Sequence, residues 1–243
     1  MMKKWGICLL VAGLFLGACK NDDDVNELPQ DEQNQVDDQA ILAYLEDHYF
    51  DPERGLIKKY DEDDEEDDNY PSLKSLGTKL NSGVWVIKRP GVPAEGPAVT
   101  NNLQDSLLIS YHSKRFIATN KDLAEGEKSY EPYMSDFFNT INSTGQAAWD
   151  PYFYYTPITE DLAGNDINQS HFMIEGFVEG LKHFQSTQTS GADLYNFQGA
   201  VVVPSRAAYA RDFIYSGGML RNDIYRDNSF IFNFEVHKVL PRN

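Results

Sequence analysis

The chain has 243 residues, 38 of them acidic against 21 basic, for a formal net charge of −17. Phosphate neutralisation needs clustered Lys and Arg, and a chain this acidic with no basic stripe excludes a nucleic-acid partner. Its two cysteines, Cys8 and Cys19, both stand near the start, so everything after residue 19 lacks a thiol for a disulfide, a zinc–thiolate centre or a nucleophile.

The opening residues read as a bacterial lipoprotein signal peptide over 1–18: basic Lys3 and Lys4, an apolar stretch from Ile7 to Leu16, then Leu16-Gly17-Ala18 directly before Cys19. The apolar stretch falls short of the roughly 20 residues a membrane-spanning helix needs. The expectation is a mature chain that begins at a lipidated Cys19 and partners a membrane through that anchor. Lys20-Asn21-Asp22-Asp23-Asp24 is similar to the lysine-plus-acidic tract that routes some Bacteroidetes lipoproteins to the outer face of the outer membrane; a solvated spacer is the plain alternative.

Charge is distributed unevenly. From Lys20 to Tyr70 there are 20 acidic and 4 basic residues, and from Pro71 to the end 18 and 15, so the acidity belongs to the leading segment. Residues 19–37 form an acidic tether, of which Asn21 to Val36 is polar enough to be disordered. Residues 38–81 hold an N-terminal helix and an acidic loop. Asp38 is suited to cap a helix of about three turns whose Ile41, Leu42, Tyr44 and Leu45 cluster on one face. Asp61 to Asp68 then places eight carboxylates in succession, without the glycine and spaced terminal Glu of an EF-hand, and reads as a solvated loop open to weak cation binding.

Strand patterns begin at Gly83-Val84-Trp85-Val86-Ile87-Lys88 and stop at the turn Arg89-Pro90-Gly91. Ser106 to Tyr111 alternates as a second strand, and Arg115 to Ala118 continues it after a bend. Asn120 to Asn168 is aromatic-rich but aperiodic, and predicts loops and short strands. After Ile174 the spacing turns helical, with Phe177, Leu181 and Phe184 on one side and Glu175, Glu179 and Lys182 on the other. Ala200 to Val203 and Phe230 to Val236 are the last strong strands. Residues 82–243 thus predict one α+β domain of roughly 160 residues, several antiparallel strands with one packed helix, within the range of a single core.

Three blocks in that order, Phe172-Met173-Ile174-Glu175-Gly176-Phe177-Val178-Glu179-Gly180-Leu181, Val203-Pro204-Ser205-Arg206-Ala207-Ala208-Tyr209 and Phe230-Ile231-Phe232-Asn233-Phe234-Glu235-Val236, resemble an FKBP-type peptidyl-prolyl cis-trans isomerase domain. With the lipobox ahead of it, the chain resembles lipoproteins of this class in Bacteroidetes. The resemblance runs from Gly83 to Val239. It implies an FKBP-like curved antiparallel sheet wrapped around one short helix, and a cleft that acts on proline-containing polypeptides of the cell envelope without a cofactor. It also implies roles: Phe177 as aromatic floor where the family usually has Trp, Met173 and Ile174 as wall, and Ile174 N–H on the substrate carbonyl. Tyr209 would reach a second carbonyl through its hydroxyl, Tyr111 and Phe232 would be sheet walls, and Tyr130 and Glu131 would stand for the family's Phe-Asp pair. The sequence departs from the family at Glu175, where a proline is usual, and at Arg226-Asp227-Asn228, where paired prolines stand.

The chemistry of those roles is general. Rotation about an X–Pro bond meets a barrier of about 18–20 kcal/mol because planarity preserves amide resonance. An apolar, water-excluding pocket weakens the charge-separated resonance form, and one N–H that fixes the carbonyl lets the rest turn. Two rival readings stand beside turnover: a catalytically silent FKBP fold that binds proteins, and a surface adhesin whose Trp149, Tyr152, Phe153, Tyr154 and Tyr155 form a sugar platform. His48, His112, His171, His183 and His237 show no metal spacing, so no metal is expected, and the absence of Gly-x-Ser-x-Gly gives a serine hydrolase no support.

Overall fold

The computed structural model describes residues 27–242 except 101–102, 120, 124–126, 130–132, 142–145 and 192–194. Cys19 and the leader, and the expected substrate contacts Tyr130 and Glu131, therefore lie outside the described residues. The elements run α1 (Gln30–Glu46), β1 (His48–Phe50), β2 (Ile57–Lys59), α2 (Leu73–Leu76), β3 (Gly77–Lys79), β4 (Trp85–Lys88) and β5 (Asp105–Ile117). They continue with β6 (Lys121–Leu123), β7 (Glu127–Ser129), β8 (Tyr133–Asn139), β9 (Ala148–Trp149), α3 (Glu160–Gly164) and α4 (Glu175–Leu181). The chain closes with β10 (Gly199–Val203), β11 (Ile214–Ser216), β12 (Met219–Arg221) and β13 (Ser229–Pro241). No helix among the described residues is long and apolar enough to cross a membrane.

Seven strands form one antiparallel sheet in the order β3-β4-β10-β13-β5-β8, with β9 also on β5. The period of two places alternate residues on opposite faces. Val201 and Val203 with Phe230, Phe232 and Phe234 enter the core beneath α4. Ala200, Val202 and Ile231 enter a second core beneath α1. β5 and β13 pair along nearly their whole length, with a bulge between Val236 and Lys238. β5 runs as one strand from Asp105 to Ile117, held by β13 and β8, and its pairing with β8 shifts register between His112 and Lys114, where the sequence predicts a bend.

α4 is seven residues long and lies close on β10. A Cβ at Gly176 would stand 2.6 Å from Val203 Cγ1, and one at Gly180 2.5 Å from Val201 Cγ1. Both distances are below any real contact, so the Glu-Gly-Phe-Val-Glu-Gly spacing sets a glycine row against the sheet and drives Phe177 and Leu181 into the core.

α1 begins at Gln30 and not at Asp38, and takes in residues that composition assigns to a tether. Long-range contacts explain the correction. Gln33 Nε2 donates to Asp37 Oδ1 at 2.9 Å and to Ala118 O at 3.0 Å, and Asp37 Oδ2 accepts from Ser205 N at 3.1 Å. Burial pushes the Asp37 carboxyl up despite those bonds. Asp38, meanwhile, takes ion pairs from Arg206 at 2.7 Å and Lys79 at 3.1 Å instead of capping. Polar residues that read as solvated are thus seated on the sheet's second face.

Candidate functional site

The expected rings do meet. The centroids of Phe177 and Phe232 are 4.1 Å apart, and Phe232 lies 6.1 Å from Phe230, which lies 6.1 Å from Tyr209. Tyr111 joins through Phe153, at 5.3 Å and nearly edge-on. Sheet periodicity supplies Tyr111 and Phe232, the glycine row of α4 supplies Phe177, and the turn after β10 supplies Tyr209.

The hollow expected between them is full. Phe153 is wholly buried, 5.4 Å from Phe177, 5.0 Å from Phe232 and 5.6 Å from Phe137. Its carbonyl accepts from Ile174 N at 2.8 Å, the N–H to which the family resemblance assigns a substrate carbonyl. Tyr209 OH donates to Phe172 O, and burial followed by the neighbouring Tyr225 pushes its phenol up. Burial likewise raises Tyr111. Ile174, Phe177 and Phe232 have no exposed surface, and Tyr111 and Tyr209 almost none.

Asp150 seats the segment that carries Phe153. Its carboxylate accepts from Leu107 N at 2.8 Å, Ser106 Oγ at 2.8 Å and Arg242 Nη1 at 2.6 Å, while the Arg242 guanidinium lies 3.3 Å over the Tyr155 ring. The sequence does not reveal Phe137, or Phe153 as the ring that fills the hollow, because the 120–168 span has no period. Its only signal is aromatic density at Trp149 to Tyr155, and that suggested a sugar platform. The platform is overturned: Trp149 is exposed, but Phe153 and Tyr154 are buried and Tyr152 and Tyr155 half-buried.

What stays open lies beside the cluster. Half-buried Met173 lines two adjoining cavities, one of about 550 Å³ with Glu175, Glu179, Lys182 and Arg206, the other of about 370 Å³ with His171, Tyr209, Asp212 and Phe213. Their walls carry charge, unlike the dry aromatic cleft expected. Phe213, on the wall of the second cavity, is 53 % exposed, and the β11–β12 hairpin that follows it exposes Met219 (59 %) and Leu220 (43 %). Arg211 ties this loop down by bonding Asp227 at 2.9 and 3.1 Å.

A second polar cluster sits near the bulge of β13. His237 Nε2 is 2.8 Å from Ser110 Oγ, and Glu235 accepts from Thr187 Oγ1 at 2.7 Å, Thr189 Oγ1 at 3.0 Å and Asn196 N at 2.7 Å. Burial raises the Glu235 carboxyl, but the bonds from His237 and Asn196 outweigh it and hold it below the usual range. Ser110 is buried within a paired strand, so this Ser-His-Glu row is a satisfied interior network and not a nucleophile aimed at a substrate. Among the described residues no three His, Cys, Asp or Glu side chains are gathered to hold a metal.

No family model and no curated protein matches the chain. Among solved structures it shows a distant likeness to FkpA from Escherichia coli, with 16 % identity and a TM-score of 0.35 over 69 % of this chain and 53 % of that one. It is similarly distant from a peptidyl-prolyl cis-trans isomerase of Pseudomonas syringae pv. tomato, with 12 % identity and a TM-score of 0.34 over 88 % and 97 %. The chain spans about half the length of the first of these proteins.

Proposed function

We propose that this chain is an FKBP-type polypeptide-binding domain whose prolyl-isomerase cleft is silenced by its own Phe153. The observation that carries the reading is the 2.8 Å bond from Ile174 N to Phe153 O, made where a substrate carbonyl would have to sit. Withdrawing a fully buried Phe costs on the order of 3–5 kcal/mol, so the open form has a population of roughly one in a hundred to one in several thousand. Apparent affinity for a prolyl peptide falls by the same factor. Polypeptide capture is supported by the exposed Phe213 on the wall of the second charged cavity and by the exposed Met219 and Leu220 of the hairpin that follows it. Turnover is the second reading, favoured by the convergence of Phe177, Phe232 and Tyr111 on one cluster.

A proline-peptide isomerisation assay separates them. The expected result is acceleration below about twofold, under 0.5 kcal/mol off the barrier, together with delayed aggregation of an unfolded client that Phe213→Ser/Met219→Ser weakens. Acceleration of about tenfold or more that disappears in Tyr209→Phe would establish turnover and end the silent reading. The same proposal places the domain on a membrane through lipid on Cys19. Cys19→Ala chains are expected in the soluble fraction, and their continued partition with membranes would refute the anchor.

A further inference from the structure

The Glu235–His237 network is closed toward Ser110 and borders a cavity on its other flank. That cavity, of about 300 Å³, shares no lining residue with the two beside Met173. Val92, Pro93, Thr187 and Thr189 line it, and so do Glu235 and His237, each only 2 % exposed. The main chain of Glu235 is held in the sheet opposite Ser110, so its side chain is the part that meets the cavity.

An ionised carboxylate out of water is costly unless a cation stands beside it. Among the described residues no Lys or Arg lies within ion-pair distance of Glu235, and the basic group that does is the His237 ring, 3.4 Å from Oε1. Burial raises this carboxyl, yet the bonds from His237 and Asn196 hold it below the usual range, in its charged form. Those bonds are unevenly shared. Oε1 accepts from Thr187 Oγ1 at 2.7 Å and Thr189 Oγ1 at 3.0 Å, whereas Oε2 accepts from Asn196 N at 2.7 Å. A carboxylate offers about four acceptor positions over its two oxygens, so among the described residues Oε2 keeps one.

We propose that this cavity binds a primary ammonium group on an aliphatic stem, the ammonium on Glu235 Oε2 and the stem against Val92 and Pro93. The ligand supplies the cation that the buried carboxylate lacks, and lysine-like stems lie readily along apolar surface. A guanidinium suits the site less well, because its planar fork calls for both carboxylate oxygens and Oε1 already accepts two bonds. An ammonium is a compact point charge that one free acceptor position can seat. The site shares no residue with the plugged cleft, so it stands or falls separately from the function proposed above.

Titration of the full chain with n-butylammonium chloride at about 0.15 M ionic strength, followed through the backbone amide shifts of Thr187, Thr189 and Asn196, tests this. Saturable shifts with a Kd on the order of 1 mM are expected for so small a ligand. n-Butanol and n-butylguanidinium should bind at least about fivefold more weakly. Glu235→Gln should weaken n-butylammonium at least about tenfold. Val92→Trp should do the same, because it fills the cavity from a half-buried wall and removes none of the bonded groups. Glu95→Gln, the same charge change at an exposed position of the same loop, should alter it less than about twofold. Should Glu235→Gln fail to fold, Val92→Trp decides. Nα-acetyl-lysine methylamide that binds at least as tightly as n-butylammonium assigns the group to a polypeptide lysine, and weaker binding assigns it to a free alkylamine; both uphold the site. Absence of saturable shifts, equal binding of n-butanol or n-butylguanidinium, or unchanged affinity in Val92→Trp or a folded Glu235→Gln overturns it.

Discussion

Phe153→Ala is expected to lower the free energy of unfolding by about 3–5 kcal/mol, read from the midpoint shift in urea at constant slope. The side chain is wholly buried and its ring sits within 5.6 Å of four other rings, Tyr111, Phe137, Phe177 and Phe232. Truncation forfeits the transfer free energy of the ring and leaves a cavity that β5, β13 and α4 are too firmly paired to collapse. Phe177→Ala should cost a similar amount. The double variant should cost less than the sum, because the two rings line the same space. A loss under about 1 kcal/mol for Phe153→Ala would mean that the segment is loosely seated, and the plugged-cleft reading would fall with it. If Phe153→Ala instead gains prolyl turnover while Phe177→Ala does not, the hollow beneath it is a working cleft under restraint.

Asp150→Ala should cost about 2–4 kcal/mol, and the same segment should become more susceptible to limited proteolysis. Its carboxylate closes the loop onto β5 and Arg242, with both side chains of that pair over four-fifths buried. Removal strands the Leu107 N–H and leaves the guanidinium to the Leu103 and Asp105 carbonyls, which already hold it. Those residual acceptors keep the expected cost below that of an isolated buried pair. Asp150 also stands at φ 44°, a left-handed conformation that Asp and Asn tolerate better than Ala. Asp150→Asn keeps an acceptor and that tolerance, and should lose less than half as much. Little Coulombic screening reaches a pair so covered, so the loss should hardly change between 0.05 and 0.5 M NaCl, as about-constant midpoint differences would register. A cycle with Arg242→Ala should give a coupling of about 1 kcal/mol or more; additivity would show that the two act separately.

Periodicity made several elements legible. The Phe230-Phe232-Phe234 alternation identifies the buried face of β13, and the spacing of Phe177 and Leu181 the buried side of α4, which ends at Leu181, short of Phe184. The blocks chosen as cleft-forming do meet in space. Less legible were elements whose place depends on distant partners: Gln33 and Asp37 look like tether until Ala118 and Ser205 take their hydrogen bonds, and Asp67 looks solvated until the fold buries it with its Oδ2 on Asp61 N.

The amino-acid order by itself determined an α+β chain with an acidic leading segment and an apolar face on each of two central elements, because local periodicity reports which side of a helix or strand avoids water. Only the tertiary structure decided what covers that side. Residues 150–155 have no period of their own, and their position follows from Asp150 on Leu107 and Arg242 and from Phe153 between α4 and β13. An apolar face is written in neighbouring residues, but whether it walls an open pocket or is filled depends on contacts between residues far apart in the chain.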